Sequence, residues 1–114
     1  MTDSFTPVID AADMPESGLL CTTAAGTPIV LCKVGEEFHA VSNLCTHAQS
    51  TFDNGRLRRY RLICPLHGAM FDVRTGKPNG QLARAPLRVF PVRVTHAGVV
   101  EVNVEAEAPP QVTR

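Results

Sequence analysis

The chain has 114 residues, of which 44% are hydrophobic and 19% are charged. This length suits one domain with a real core, and the composition is too apolar for a disordered protein. Eleven basic and eleven acidic side chains leave no formal net charge, which argues against nucleic-acid binding. No apolar run approaches the roughly 20 residues that span a bilayer, and the first residues lack the features of a secretory signal. We therefore expect a cytoplasmic chain with no membrane contact.

Short β-prone runs separated by glycine and proline predict an antiparallel all-β protein. Residues 10–17 carry the signals of one helical turn. Residues 28–34 and 38–42 are apolar, strand-like runs joined by a glycine-containing loop at 35–37. They predict a β-hairpin that leads directly into Cys45.

Two further strands are predicted at 57–63 and 69–73, followed by a turn at 74–77. The first of these runs is rich in arginine. Alternation along a single strand would place Arg59 and Arg61 on the same face. Such basic runs are usually solvated, and docking of a partner is the functional interpretation.

Residues 89–95 and 99–104 alternate apolar and polar side chains and predict a second hairpin. Pro91 has no N–H to donate to a strand ladder, so its strand should be an edge or be bulged there. We expect one domain over residues 1–104. The segment 105–114 has little to bury and is predicted to be a mobile tail.

Four residues have the types and spacing of metal ligands. Cys45 and His47 form a C-x-H motif, Cys64 and His67 form a C-x2-H motif, and residues 48–63 separate the two. In a Rieske centre two histidines replace two cysteines on one of the two irons of a [2Fe–2S] cluster. Two loops that each offer one thiolate and one imidazole match that donor set.

The segments CTHAQSTFDNG, from residue 45, and CPLHGAMFDVRTGKPNG, from residue 64, resemble Rieske ferredoxins of multicomponent aromatic-ring hydroxylating oxygenases. The resemblance continues through GQLARAPLRVFPV, from residue 80, which is similar to the third, proline-containing loop of that family. Pro86 is the matching proline. One departure is Ala48, where many relatives have glycine.

The resemblance implies a Rieske fold, an antiparallel β sandwich with a smaller cluster-binding subdomain whose loops lie at about 43–86. It implies one [2Fe–2S] cluster per chain. Cys45 and Cys64 would bind the inner iron, and His47 and His67 the exposed outer iron.

The same resemblance implies a monomeric electron carrier that is not itself an enzyme. Its partners would be a flavin-dependent NAD(P)H ferredoxin reductase and a terminal Rieske non-haem iron oxygenase. High-potential Rieske proteins place serine and tyrosine hydroxyls near the cluster sulfurs where this chain has Ala69 and Phe71. They also have a disulfide at positions that here hold Ser50 and Leu66. The resemblance therefore predicts a low-potential cluster.

Other interpretations of the motif remain open from the residues alone. Two thiolates and two imidazoles also bind structural zinc, although zinc motifs usually pair cysteine with cysteine and histidine with histidine. Rieske-like small subunits of some nitrite reductases have this fold without a cluster, but they lack the ligands. A catalytic pair of Cys64 and His67 is a third alternative, and it leaves Cys45 and His47 unexplained.

Two cysteines and two histidines are left outside the predicted site. Cys21 and Cys32 lie in apolar strand-like runs, where cysteine behaves as a small hydrophobic residue. His39 and His96 lie in or beside hairpins, where surface or hydrogen-bonded imidazoles are expected.

Overall fold

The computed structural model describes residues 4–44, 51–65, 68–79 and 85–106. These residues form one 3-10 turn, Ala11–Asp13, and eleven short strands. In chain order the strands are β1 (Thr6–Asp10), β2 (Leu19–Ala24), β3 (Thr27–Val34), β4 (Glu37–Ser42), β5 (Arg56–Arg58), β6 (Arg61–Ile63), β7 (Met70–Asp72), β8 (Pro78–Asn79), β9 (Val89–Phe90), β10 (Val92–Val94) and β11 (Val99–Val102). Every pairing among them is antiparallel, which confirms the all-β prediction.

The strands form three sheets arranged in layers. The central sheet has the order β2-β3-β4-β9, the second sheet β1-β11-β10 and the third sheet β5-β6-β7-β8. One hydrophobic core lies between the central and second sheets, and another lies between the central and third sheets. The second predicted ligand motif begins directly after β6 of the third sheet.

Strand β3 is the middle of this arrangement because both of its faces are buried. Ile29 and Leu31 belong to the core against the second sheet, whereas Val30 and Cys32 belong to the core against the third sheet. All four side chains are fully buried. A strand covered on both sides reads as a continuous apolar run rather than an alternating one, which explains the sequence of this segment.

The first predicted hairpin is confirmed. Strands β3 and β4 pair along their length, ending with Val34 opposite Glu37. The connecting turn is therefore two residues long, one fewer than predicted. Gly35 begins it with φ +60°, a left-handed conformation that glycine adopts without steric cost.

Pro91 separates two strands where the sequence predicted one. Strand β9 pairs with β4 in the central sheet, whereas β10 pairs with β11 in the second sheet. The Pro91 carbonyl accepts a hydrogen bond of 3.0 Å from the backbone N–H of Asn103. The expected irregularity at Pro91 is confirmed, but the single strand at 89–95 is wrong because the chain changes sheets at the residue that has no N–H.

The single strand predicted at 57–63 is also wrong, since this segment is the β5–β6 hairpin. Leu57 and Leu62 are five residues apart, so a continuous strand would send them to opposite faces. The hairpin makes them cross-strand partners facing the same core. Arg59 lies in the turn with φ +55°, and the predicted alternation of Arg59 with Arg61 does not occur.

The remaining predicted elements are present in the structure but are shorter than predicted. Strand β7 lies within the predicted run 69–73, and a turn follows it. The predicted helical turn is the 3-10 turn at Ala11–Asp13. The predicted mobile tail lies mostly outside the described residues, which end at 106. Among the described residues, no helix has the length and apolar character needed to cross a bilayer.

Candidate metal centre

Of the four predicted ligands, the structure describes Cys64, which begins the second ligand loop. It follows β6 directly and is 1% exposed. Its backbone N–H donates a 2.7 Å hydrogen bond to the Ala69 carbonyl, just before β7 begins. The loop from Cys64 to Ala69 is therefore held at both ends. Cys45, His47 and His67 lie outside the described residues.

Asn43 and Phe52 hold the first ligand loop at its two ends. The Asn43 side chain is 8% exposed, and its Oδ1 accepts a 2.7 Å hydrogen bond from the Phe52 N–H. The Asn43 N–H donates to the Pro28 carbonyl at 3.2 Å, which attaches this end of the loop to β3. Cys45 and His47 lie within the segment that this contact encloses in sequence.

Asp53 extends this contact into a small polar network. Its carboxylate accepts hydrogen bonds from Thr51 Oγ1 at 3.0 Å and from Asn43 Nδ2 at 3.4 Å. These bonds, led by that from Thr51, lower the pKa of Asp53, so its carboxylate is ionised near neutral pH.

Cys21 and Cys32, the two cysteines outside the predicted motifs, have unreactive thiols. Burial, followed by the hydrogen bond and charge of Asp53, raises the pKa of Cys21 from 9.0 to about 12. Burial likewise raises the pKa of Cys32, which is fully buried in β3. Thiols with raised pKa values stay protonated at neutral pH and are poor ligands and nucleophiles. Cys21 and Cys32 are free thiols, in line with their predicted structural role.

The bases of the two ligand loops touch each other. The Gly55 N–H donates to the Phe52 carbonyl at 2.7 Å, and a Cβ at Gly55 would lie 2.7 Å from the Ile63 carbonyl oxygen. Only glycine permits this approach, because real Cβ atoms do not come so close to backbone oxygen. The Phe52 ring also meets the edge of Phe71 at a centroid distance of 5.8 Å. The described end of the first loop, from Phe52 to Gly55, therefore lies beside Ile63, the residue before Cys64.

A surface groove of about 240 Å³ lies where the two loops meet. Its lining comes from the end of the first loop and from both sides of the second, namely Asn54, Gly55, Arg56, Ile63, Cys64, Pro65 and Gly68. Within the described part of the chain, no cluster of three or more His, Cys, Asp or Glu residues could hold a metal ion. A centre at this groove would therefore need Cys64 together with ligands from residues outside that part.

The third predicted loop is fixed at its base. The Leu87 N–H donates to the Gly76 carbonyl at 2.7 Å, and a Cβ at Gly76 would clash with the Leu87 carbonyl. Gly76 has φ +77°, which also favours glycine. Pro86 is exposed next to this anchor. Residues 80–84, the start of the predicted shielding loop, lie outside the described residues.

The donor chemistry fits an iron–sulfur centre. Cys64 is a buried thiol directly after β6, and thiols supply the sulfur ligands of such centres. The remaining predicted donors, Cys45, His47 and His67, add the second thiol and the two imidazoles. The Rieske [2Fe-2S] domain family matches residues 4–91 of the chain. The chain belongs to this family. Its cofactor is accordingly a Rieske-type [2Fe–2S] cluster, and the Rieske fold expected from the sequence is confirmed.

Ferredoxins of ring-hydroxylating systems are prominent among the similar proteins. The anthranilate 1,2-dioxygenase ferredoxin subunit of Burkholderia cepacia is 37% identical over 81 residues, covering 71% of this chain and 74% of that protein. The biphenyl 2,3-dioxygenase ferredoxin component of Rhodococcus jostii (strain RHA1) is 35% identical over 91 residues, covering 80% and 85%.

A solved structure gives the same assignment. One chain from the complex of reduced oxygenase and oxidized ferredoxin in carbazole 1,9a-dioxygenase matches with a TM-score of 0.84 and 31% identity, covering 95% of this Rieske chain and 100% of that one. The matched chain is thus about as long as this one. This agreement confirms the resemblance to Rieske ferredoxins stated from the motifs.

Sequence reasoning missed the residues that support the loops. Asn43 and Asp53 were not singled out, although each lies close to a loop end. A polar residue between an apolar strand and a ligand motif is the signal that points to Asn43. The influence of Asp53 on Cys21 joins positions far apart in the chain and has no local signal.

We expect Asn43→Ala to destabilise the protein by about 1–3 kcal/mol, because it leaves the buried Phe52 N–H without its acceptor. Urea unfolding of the loaded protein measures this, and loss of iron on dilution should be faster. The control is Asn103→Ala, which removes an exposed bond to the Glu105 N–H. Equal effects of the two substitutions would show that Asn43 does not hold the first loop.

Proposed function

We propose that this Rieske domain is a one-electron carrier that takes electrons from a flavin-dependent NAD(P)H reductase and passes them to a terminal ring-hydroxylating oxygenase. The observation that carries the proposal is the family match over residues 4–91, together with relatives of similar length that are ferredoxin components. We further propose that the chain acts as a cytoplasmic monomer and catalyses no reaction of its own.

We assign the cluster ligands as Cys45, His47, Cys64 and His67. The position of Cys64 in the chain supports the assignment. Cys64 follows β6 directly and lines the groove between the ends of the two loops, whereas Cys32, which is equally buried, lies within β3. Cysteine thiolates are the usual protein ligands of iron–sulfur clusters.

When bound, a Rieske cluster accepts and releases single electrons through its irons. Hydrogen bonds of the chain hold the described ends of the two predicted ligand loops. Cys64 is fixed by its own N–H bond to Ala69, and the first loop by the Asn43 bond to Phe52.

The proposal is tested first by composition. Purified protein should be brown, with about two irons and two acid-labile sulfides per chain, and reduction should produce an EPR signal of low average g. A colourless protein that holds one zinc after iron-replete expression would favour the structural zinc alternative.

Electron transfer is tested with the reductase and oxygenase components of the anthranilate and biphenyl dioxygenase systems. We expect NADH-dependent reduction of an oxygenase cluster that requires this chain in at least one system. Protein denatured and stripped of iron is the control. A fully loaded chain that supports transfer in neither system would count against the proposal.

A further inference from the structure

A groove of about 580 Å³ follows the outer face of the third sheet. Its floor is formed by Ile63 and Met70, which are half-buried cross-strand partners on β6 and β7. Arg58, Arg59 and Arg61 line it and are all exposed. We call this surface the arginine groove. An apolar floor beside a charged rim is the usual anatomy of a protein interface.

The positive charge of the arginine groove is not neutralised from within. Arg58 and Arg61 are direct cross-strand partners, an arrangement that places like charges side by side and destabilises a hairpin. The carboxylate in the groove, Asp72, is bound to Arg74 at 3.0 and 2.7 Å. Among the described residues, neither Arg58, Arg59 nor Arg61 forms an ion pair.

One wall of the groove is rigid. The Arg74 guanidinium lies 3.9 Å from the centre of the Tyr60 ring, and the Tyr60 hydroxyl donates to Glu37 of β4 at 2.7 Å. These contacts hold the Tyr60 and Arg74 side chains on one side of the groove.

The groove adjoins the second ligand loop. Ile63 lines both the arginine groove and the smaller groove that contains Cys64. Met70 follows Ala69, whose carbonyl holds the Cys64 N–H. A protein that docks close enough to exchange electrons with a centre at Cys64 would therefore cover part of the arginine groove.

We propose that the arginine groove binds a carboxylate-rich surface of the terminal oxygenase beside that protein's electron-accepting centre. The proposal rests on the function proposed above. Guanidinium groups without an ion pair bind carboxylates well. Arg58 and Arg61 lie side by side and lower the stability of the folded chain, and carboxylates of a bound oxygenase would neutralise their charge. The oxygenase is chosen because a similar chain comes from a complex of ferredoxin with oxygenase.

The test uses Arg58→Glu in the loaded protein. The introduced carboxylate would face Arg61 across the hairpin and replace a repulsive pair with an attractive one, so the folded state should be at least as stable as wild type. The positive charge of the groove falls at the same time. We expect the second-order rate constant for reducing the oxygenase to fall about tenfold at low ionic strength, and the difference from wild type to disappear at high salt.

Arg59→Gly provides an independent variant. Glycine relieves the left-handed backbone conformation at this turn and removes one charge, so stability should rise while the transfer rate falls. Lys33→Glu is the control, because it makes the same charge change as Arg58→Glu on β3, away from the groove. It should leave the rate within about twofold of wild type. Stopped-flow absorbance and urea unfolding give the two readouts.

The outcomes separate the two proposals. If wild type does not reduce the oxygenase, the proposed function fails. If wild type does so and both groove variants match it at all salt concentrations, the docking proposal is overturned. A rate loss confined to the reductase step would overturn the choice of the oxygenase. A rate loss equal to that of Lys33→Glu would overturn the assignment to the groove, because net charge alone would then explain it.

Discussion

Cys64→Ser and Cys45→Ser should each yield a folded but colourless protein with no bound iron. A serine hydroxyl does not ionise near neutral pH, so it cannot replace a thiolate that neutralises iron charge. Iron analysis and the visible spectrum after anaerobic purification measure the effect.

Cys32→Ser is the matched control, because Cys32 is equally buried but belongs to β3 and carries a protonated thiol. It should retain two irons per chain and lose only stability, since a hydroxyl enters an apolar core. His47→Cys and His67→Cys should keep a perturbed cluster with a lower potential, because a thiolate adds negative charge. Full iron content in Cys64→Ser, or loss of iron from a folded Cys32→Ser, would contradict the ligand assignment.

The reduction potential should lie near the roughly −150 mV end of the Rieske range rather than near its +300 mV end. Ala69 and Phe71 occupy the positions where high-potential relatives have hydroxyl donors, and neither side chain can donate a hydrogen bond. Both are buried, and Phe71 packs against Phe52. Water therefore has little access to act as a substitute donor from this side.

The expected size of the effect follows from hydrogen-bond energies. A donor to a cluster sulfur favours the more negative reduced form, and bonds to charged groups contribute roughly 1.5–3 kcal/mol each. Two such bonds give about 3–6 kcal/mol, or roughly 130–250 mV for one electron, as an upper bound because the oxidised form also accepts some hydrogen bonding. The absent disulfide would contribute to the rest of the range.

Protein-film voltammetry of wild type and Ala69→Ser tests this explanation. Phe71→Tyr is then added to make a double variant, because Phe71 is fully buried and the larger side chain is harder to accommodate. Each hydroxyl should raise the potential. Ala40→Ser is the control, since it buries a hydroxyl in the other core and should leave the potential unchanged. A wild-type value above about +100 mV would contradict the low-potential assignment. A downward shift in the double variant would contradict the hydrogen-bond explanation.

Local patterns in the sequence were sufficient for the elements whose signals lie close together. The C-x-H and C-x2-H spacings indicate a ligand set, and together with the flanking segments they indicate the family. The hairpin of β3 and β4 also follows from local signals, because its turn glycine and flanking apolar runs are contiguous. The family assignment made from these motifs is confirmed.

Tertiary structure decided the features that depend on which residues meet across the chain. Pro91 marks an irregularity in sequence, but only the positions of β4 and β11 assign its two sides to different sheets. The β5–β6 hairpin exists because Leu57 and Leu62 must face the same core, which no turn signal indicates. Asn43 holds the first loop through Phe52, nine residues away. Burial and hydrogen-bond pairing are properties of the assembled sheets, so the residues that serve them have no recognisable pattern in the local sequence. Metal ligands can be recognised from the sequence, because only a few residue types bind metals.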